Sequence, residues 1–390
     1  MVRIALFLLF FTIFVGGTHL YLWHRMLRAP RVSPRALRMG TIVIVVMGVA
    51  MPLAMFFVQV LPRSLGSLLS FAVYTWMGFA ALLTACLFAS EVPRLAVVLA
   101  ERVRTGQTID QGRRTFLSRL IAGVAGVITL GLSGAGVAEA LGAVALKNVR
   151  VSLRKLPKEL SGMRIVQLTD VHIGPMIGRE WLAGIVERVN ALDPDIVVIT
   201  GDLVDGSVAA LRDHVAPIAQ LKSKRGVYFV TGNHEYYSGV TSWVEHLEQL
   251  GVRVLRNEHV TIGEGAASFD LAGVDDHTGG QFDKSHGADV PKALAGRDPN
   301  RECILLAHQP KEIIEAAKFG VGLQISGHTH GGQVFPATLL VRLQQPFTAG
   351  LDRLGDTQIY VSRGTGYWGP PMRVAAPSEI TILELVSEMV

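Results

Sequence analysis

The sequence predicts an α/β domain, built on a mixed sheet or a two-sheet sandwich, preceded by an all-α bundle of about four membrane-spanning helices. Three observations predict it. Apolar residues make up 49% of the 390-residue chain and concentrate in roughly the first 140 positions. Charge divides near the same place: the segment through Lys158 carries a net +14 and the remainder −9, within a chain total of +5. From Met163 onward, short apolar runs alternate with helical patterns, as in a layered α/β structure. The chain therefore divides into a transmembrane region, residues 1–145, and a water-soluble domain, residues 146–390.

Crossing a bilayer takes roughly 20 apolar residues. Four stretches qualify: Ile4 to Trp23, Thr41 to Leu61, Leu68 to Ser90 and Phe116 to Leu141. The fourth is rich in small residues, which permit close helix packing, and carries Arg119 near its start. His19 and Pro52 read as an interfacial histidine and a tolerated kink. Arg25, Arg28, Arg31, Arg35 and Arg38 follow the first span. Arg94, Arg102, Arg104, Arg113 and Arg114 lie between the third and fourth. Both groups read as Arg-rich loops, and the positive-inside rule places these loops in the cytoplasm. Four crossings then leave the soluble domain outside the plasma membrane of a bacterium. "RRTFL", Arg113 to Leu117, resembles a twin-arginine export address and reads equally as ordinary topology arginines. "AEA", Ala138 to Ala140, has the form of a signal-peptidase site; retention as an anchor is the expectation. The spans hold few ionisable groups, which argues for anchoring over transport.

The basic residues flank membrane spans and the soluble domain is acidic, so no nucleic-acid partner is expected. Cys86 and Cys303 sit in different regions, so no structural disulfide is expected.

In the soluble domain, "MRIVQLTD" from Met163, Asp195 to Thr200, Gly226 to Gly232, Cys303 to His308 and Leu323 to His328 read as buried strands. Helical patterns cover Glu180 to Ala191, Ala209 to Leu221, Ser242 to Leu250 and Pro310 to Phe319. Later strands are expected at Val252 to Leu255, Val260 to Ile262, Ser268 to Val274, Gln358 to Ser362 and Glu379 to Leu385. Each of the five buried strands ends in residues with ligand chemistry: Asp170 and His172, then Asp202 and Asp205, then Asn233 and His234, then His308, then His328 and His330. Strand ends are where α/β sheets bind ligands. One such tip is noise; five in order are not.

The atoms offered are carboxylate, imidazole and amide oxygen, without thiolate. Such a set suits Mn, Fe, Zn or Co over a cysteine-type structural zinc. There are enough ligands for two metals sharing a carboxylate, machinery suited to phosphoester hydrolysis.

The ordered set "DVH", "GDLVD", "GNHE", "AHQP" and "GHTHGGQ" resembles the calcineurin-like metallophosphoesterase superfamily. The resemblance covers roughly Met163 to Leu385, and the membrane-spanning N-terminus with "SRGTGYWGPPMR" is similar to a bacterial membrane-anchored branch. It implies a βαβαβ sandwich with a dinuclear centre at one edge. It also implies that Asp170, His172 and His330 hold one divalent metal, that Asn233, His308 and His328 hold the second, and that Asp202 bridges them. A hydroxide between the metals would attack phosphorus and cleave a phosphoester, with a phosphodiester expected, while His234 contacts the phosphate or protonates the leaving oxygen. Asp205 is expected behind the ligands, orienting them.

The remaining histidines, His214, His246, His259, His277 and His286, read as surface, structural or loop residues. Asp275, Asp276 and the aromatic turn Tyr367 to Pro371 border the site or simply pack. The expected function is thus a membrane-anchored dinuclear phosphohydrolase, with the lipid bilayer and a phosphoester, lipid-linked in one version, as partners. The alternative is a membrane sensor or assembly protein that binds a phosphorylated ligand without turnover.

Overall fold

The computed structural model describes residues 2–58, 61–105 and 110–388. Contacts divide the chain into two units: residues 1–141 with Gly369–Val374, and residues 142–368 with 375–390.

The first unit is helical. Helices α1 (Val2–Trp23), α2 (Pro34–Phe57), α3 (Arg63–Thr105) and α4 (Gln111–Leu141) cover the four expected spans. Residues 59–60, at the end of the second expected span, lie outside the described residues. Among the described residues, three helical segments are long and apolar enough to cross a membrane: Pro34–Ala54, Arg63–Arg104 and Gln111–Leu141.

One expectation needs correction here. The stretch holding Arg94, Arg102 and Arg104 is not a loop, because α3 runs unbroken through Pro93 to Thr105. Good helix formers fill it, and Glu91–Arg94 and Glu101–Arg104 pair at i,i+3 spacing. His19 is buried among the helices. Its Nδ1 lies 2.8 Å from the Val15 carbonyl, and its Nε2 accepts from the Trp76 indole at 2.9 Å. A buried polar ring is stable only with such partners.

The second unit stacks two six-stranded mixed sheets. In chain order the strands are β1 (Ala145–Leu153), β2 (Arg164–Leu168), β3 (Ile196–Thr200), β4 (Val227–Val230), β5 (Arg253–Val254), β6 (Glu258–Glu264), β7 (Ala267–Gly273), β8 (Cys303–Leu306), β9 (Leu323–Ser326), β10 (Gly350–Leu354), β11 (Thr357–Val361) and β12 (Glu379–Ser387). One sheet has the order β1-β12-β2-β3-β4-β5 and the other β10-β11-β9-β8-β7-β6. β2 through β5 run parallel, as do β7, β8, β9 and β11. Right-handed crossover helices connect such parallel strands in general; here α5 (Arg179–Ala191) follows β2 and α6 (Val208–Val215) follows β3.

Alternation explains the stacking. Ile196 and Val198 from one sheet meet Phe269, Leu271, Ile304 and Leu306 from the other in one buried cluster. Val197 and Ile199, which point the opposite way, are buried as well. A strand buried on both faces reads as an unbroken apolar run, as "IVVIT" does.

Candidate metal centre

The expected ligands sit on loops that leave the parallel strands at one end of both sheets. After β2 and β3 the ladder continues into the loops. His172 N–H donates to the Asp202 carbonyl at 3.1 Å, Ile173 N–H to Leu203 at 2.8 Å, and Asp205 N–H to Ile173 at 2.8 Å. The two loops are therefore one braced unit. The backbone bends sharply there: Asp170, His172, Asp202, His328 and His330 all have positive φ, between 50° and 70°. Non-glycine residues take this left-handed conformation at a cost, and such strain gathers at functional sites. Glycine is required beside them: a Cβ at Gly232 would run into the Asp202 carboxylate.

These residues converge. The ligand-type atoms of Asp170, His172 and His330 lie within 4.8 Å of one another, as do those of Asp202, His308 and His328. His172 Nε2 is 3.1 Å from His330 Nε2, and His330 Nε2 is 3.3 Å from Asp170 Oδ1. In the second group His328 Nδ1 is 3.2 Å from His308 Nε2, which is 3.1 Å from Asp202 Oδ2. The same Asp202 oxygen is 4.0 Å from His172 Nε2, so it stands between the groups.

Protonation can be read from the partners. A carbonyl or carboxylate only accepts, so the Nδ1 atoms of His308 (2.7 Å from Thr200 O) and His172 (3.2 Å from Asp205 Oδ1) carry hydrogens. In the neutral rings their Nε2 lone pairs then face another imidazole nitrogen. Lone pairs aimed at each other repel unless a proton or a cation stands between them. Burial, with the His308 charge beside it, pushes His328 down to about 3, so that ring stays neutral. Burial disfavours the charged forms of His308 and Asp202, but each holds the other ionised: His308 is raised and Asp202 falls well below the usual range. Burial, together with the Asp202 charge, raises Asp170.

Asn233 opens α7 (Asn233–Ser238), and its Oδ1 is buried without a hydrogen-bond partner. An orphaned buried acceptor is costly. The fit to metal is therefore good: convergent imidazole nitrogens, carboxylates and one unpartnered amide oxygen, with no thiolate.

His234 and Asp205 form a third grouping with His172. Asp205 Oδ1 accepts from His234 Nδ1 at 2.5 Å as well as from His172. Burial would lower the pKa of His234, but Asp202 and Asp205 outweigh it and raise it to about 9. Asp205 itself falls below its usual range: the two imidazoles outweigh its burial.

Sequence reasoning gave no role to Glu235 or Gln333. The buried Glu235 carboxylate accepts from the N–H groups of Gly232 (2.7 Å), Asp202 (2.9 Å) and Leu203 (2.8 Å), joining two ligand loops. An acid directly after the "GNH" tip was the available signal. Gln333 clamps Trp368: its Nε2 donates to the Trp368 carbonyl at 2.8 Å and its Oε1 accepts from the Trp368 N–H at 3.0 Å. Trp368 and Tyr237 in turn place their rings edge-on to His234, with centroids 5.5 and 5.2 Å away. Asp276 is buried and bonded to Gln309, and His277 pairs with Glu312, so both have structural partners.

A sandwich of two mixed sheets with convergent ligand-type residues at its strand ends points to a class, the metal-dependent phosphoester hydrolases. The chain belongs to the calcineurin-like metallophosphoesterase family: the pattern described as "Calcineurin-like phosphoesterase" matches residues 163–332. It is 38% identical to a "Transmembrane protein with metallophosphoesterase domain" of Danio rerio, over 98% of this chain and 90% of that protein. It is 42% identical to a protein of the same description from Bos taurus, over 72% of this chain and 66% of that one. An "Uncharacterized metallophosphoesterase" of Helicobacter pylori is also 42% identical, over 66% of this chain and 68% of its own length. The expected bacterial branch thus has vertebrate members beside it.

Proposed function

We propose that the chain is a membrane-anchored, dinuclear metal-dependent phosphohydrolase that cleaves phosphoesters, chiefly phosphodiesters, with its catalytic domain outside the plasma membrane of a bacterium. The observation that carries the reading is the pair of imidazole clusters flanking Asp202, with the orphaned Asn233 oxygen beside them. Asp170, His172 and His330 would hold one metal, Asn233, His308 and His328 the other, and Asp202 would bridge. Mn, Fe, Zn and Co all suit these donors. Two such cations, when bound, polarise a water and the phosphoryl oxygens.

The chain's own groups do the rest. Thr200 O and Asp205 fix the tautomers of His308 and His172, which keeps Nε2 turned inward. Asp205 also holds Nδ1–H of His234, leaving its Nε2 free to reach the substrate. A His234 held protonated by two carboxylates is suited to stabilise phosphoryl charge and to give a proton to the leaving oxygen. Cations beside it would pull its pKa back toward neutrality, where a general acid works best. A bilayer anchor also suits a phosphoester carried by a membrane lipid.

The test is the full chain purified with Mn and assayed on an aryl phosphodiester and monoester. His234→Ala should keep its metal and lose about 10²–10⁴-fold in kcat, whereas Asp202→Ala should lose metal as well. A metal-loaded wild-type chain that turns over neither ester would sink the reading.

A further inference from the structure

The rim of the metal centre is apolar in an otherwise acidic domain. Directly after Gln333, the segment Val334–Leu343 presents Phe335, Leu339, Leu340 and Leu343, each between 52% and 81% exposed. Its short helix, Ala337–Val341, is bonded to the metal loop: Thr338 Oγ1 donates to the Gly331 carbonyl at 3.0 Å. Against His234 stand Tyr237 and Trp368, with Phe282 beside Tyr237, all three more than half exposed. Tyr237 contacts Phe282 at a centroid distance of 5.6 Å. Grouped exposed apolar side chains of this kind mark an interaction surface.

We propose that this rim docks onto a lipid surface and presents the metal centre to phosphoesters carried by membrane lipids. This rests on the membrane-anchored phosphoesterase reading above. Three observations select lipid over a protein partner. The segment from Gln333 to Phe347 contains no acid and one exposed base, Arg342, although the chain beyond Lys158 carries a net −9. That local charge complements anionic head groups where the rest of the domain repels them. The exposed aromatics include Trp and Tyr, whose amphipathic rings favour the head-group level. The chain itself also supplies the bilayer. α4 ends at Leu141 and β1 begins at Ala145, so three residues, about 10 Å of extended chain, tether the domain to a helix apolar enough to cross.

The experiment uses the full chain in phosphatidylcholine vesicles containing phosphatidylglycerol. A Leu343→Cys variant in a Cys86→Ser background carries an environment-sensitive fluorophore, with an Asp356→Cys label as the exposed control. Brominated lipids should quench the label at 343 and spare the one at 356. Equal quenching at both positions, or none at 343, overturns the proposal. In parallel, the triple variant Leu339→Ser, Leu340→Ser, Leu343→Ser is assayed on p-nitrophenyl hexadecyl phosphate embedded in the vesicles and on soluble bis-p-nitrophenyl phosphate. Loss of apolar docking surface should lower turnover of the embedded ester about tenfold and leave the soluble ester unchanged. Equal loss on both overturns the docking role. Vesicle flotation and wild-type turnover of the soluble ester report separately on the anchor and on the phosphoesterase reading, so either can fail without being mistaken for failure of the docking surface.

Discussion

Glu235 braces the centre through backbone groups and is not one of its clustered ligand-type residues. Its two oxygens accept three backbone N–H groups, from Gly232, Asp202 and Leu203, and so hold the Asp202 loop against the Asn233 loop. Burial, with the Asp202 charge, raises its pKa to about 7, and the backbone donors partly offset this. Glu235→Gln keeps the shape but turns an amide NH₂ toward N–H donors. The expected cost is about 1–3 kcal/mol of stability together with reduced metal occupancy, read by denaturation and metal analysis. Wild-type values for both would show that the three bonds do not position the centre. The ligand-type residues themselves were legible in the sequence, because each ends an apolar run and their order is distinctive. Asp205 was legible as a supporting residue for the same reason. The clamp of Gln333 on Trp368 was not legible, since it joins positions 35 residues apart through backbone groups that no side-chain pattern reports.

At the scale of elements, legibility followed burial. β3, β8 and β9 are buried at every position and were read as strands from their apolar runs. β1 was missed: its residues from Ala145 to Arg150 are mostly exposed, and it is held in register by backbone pairing with β12. β10 is an exposed edge strand and was missed for the same reason. An edge strand needs no apolar period because partner backbone supplies its bonds. The central position of β8 has a measurable consequence. Cys303 opens that strand, fully buried, and burial pushes its thiol up to about 12. A thiol without thiolate is inert. Alkylation at neutral pH should therefore modify Cys303 only as the domain unfolds, with modification tracking the denaturation midpoint by mass spectrometry. Rapid alkylation under native conditions would mean that β8 opens locally.

For the molecule as a whole, the centre joins the two sheets. Asp170, Asp202 and Asn233 follow β2, β3 and β4 of one sheet, while His308 and His328 follow β8 and β9 of the other. The centre packs buried carboxylates and imidazoles side by side, and only native packing assembles it. Cations that bind this arrangement and not the unfolded chain must stabilise the fold by mass action, by about 4 kcal/mol at a concentration a thousand times the Kd. For a domain of this size that is an upward shift of the midpoint of about 10 °C. Cys303 alkylation during a thermal ramp reports on this domain alone, free of signal from the helical unit. The midpoint should fall after chelation and recover with added Mn. Asp202→Ala should respond to neither treatment, because it removes the carboxylate that stands between the two imidazole groups. A midpoint indifferent to metal in the wild-type chain would mean that these residues do not bind cations in the folded state, and the dinuclear reading would fail without any substrate having been tried.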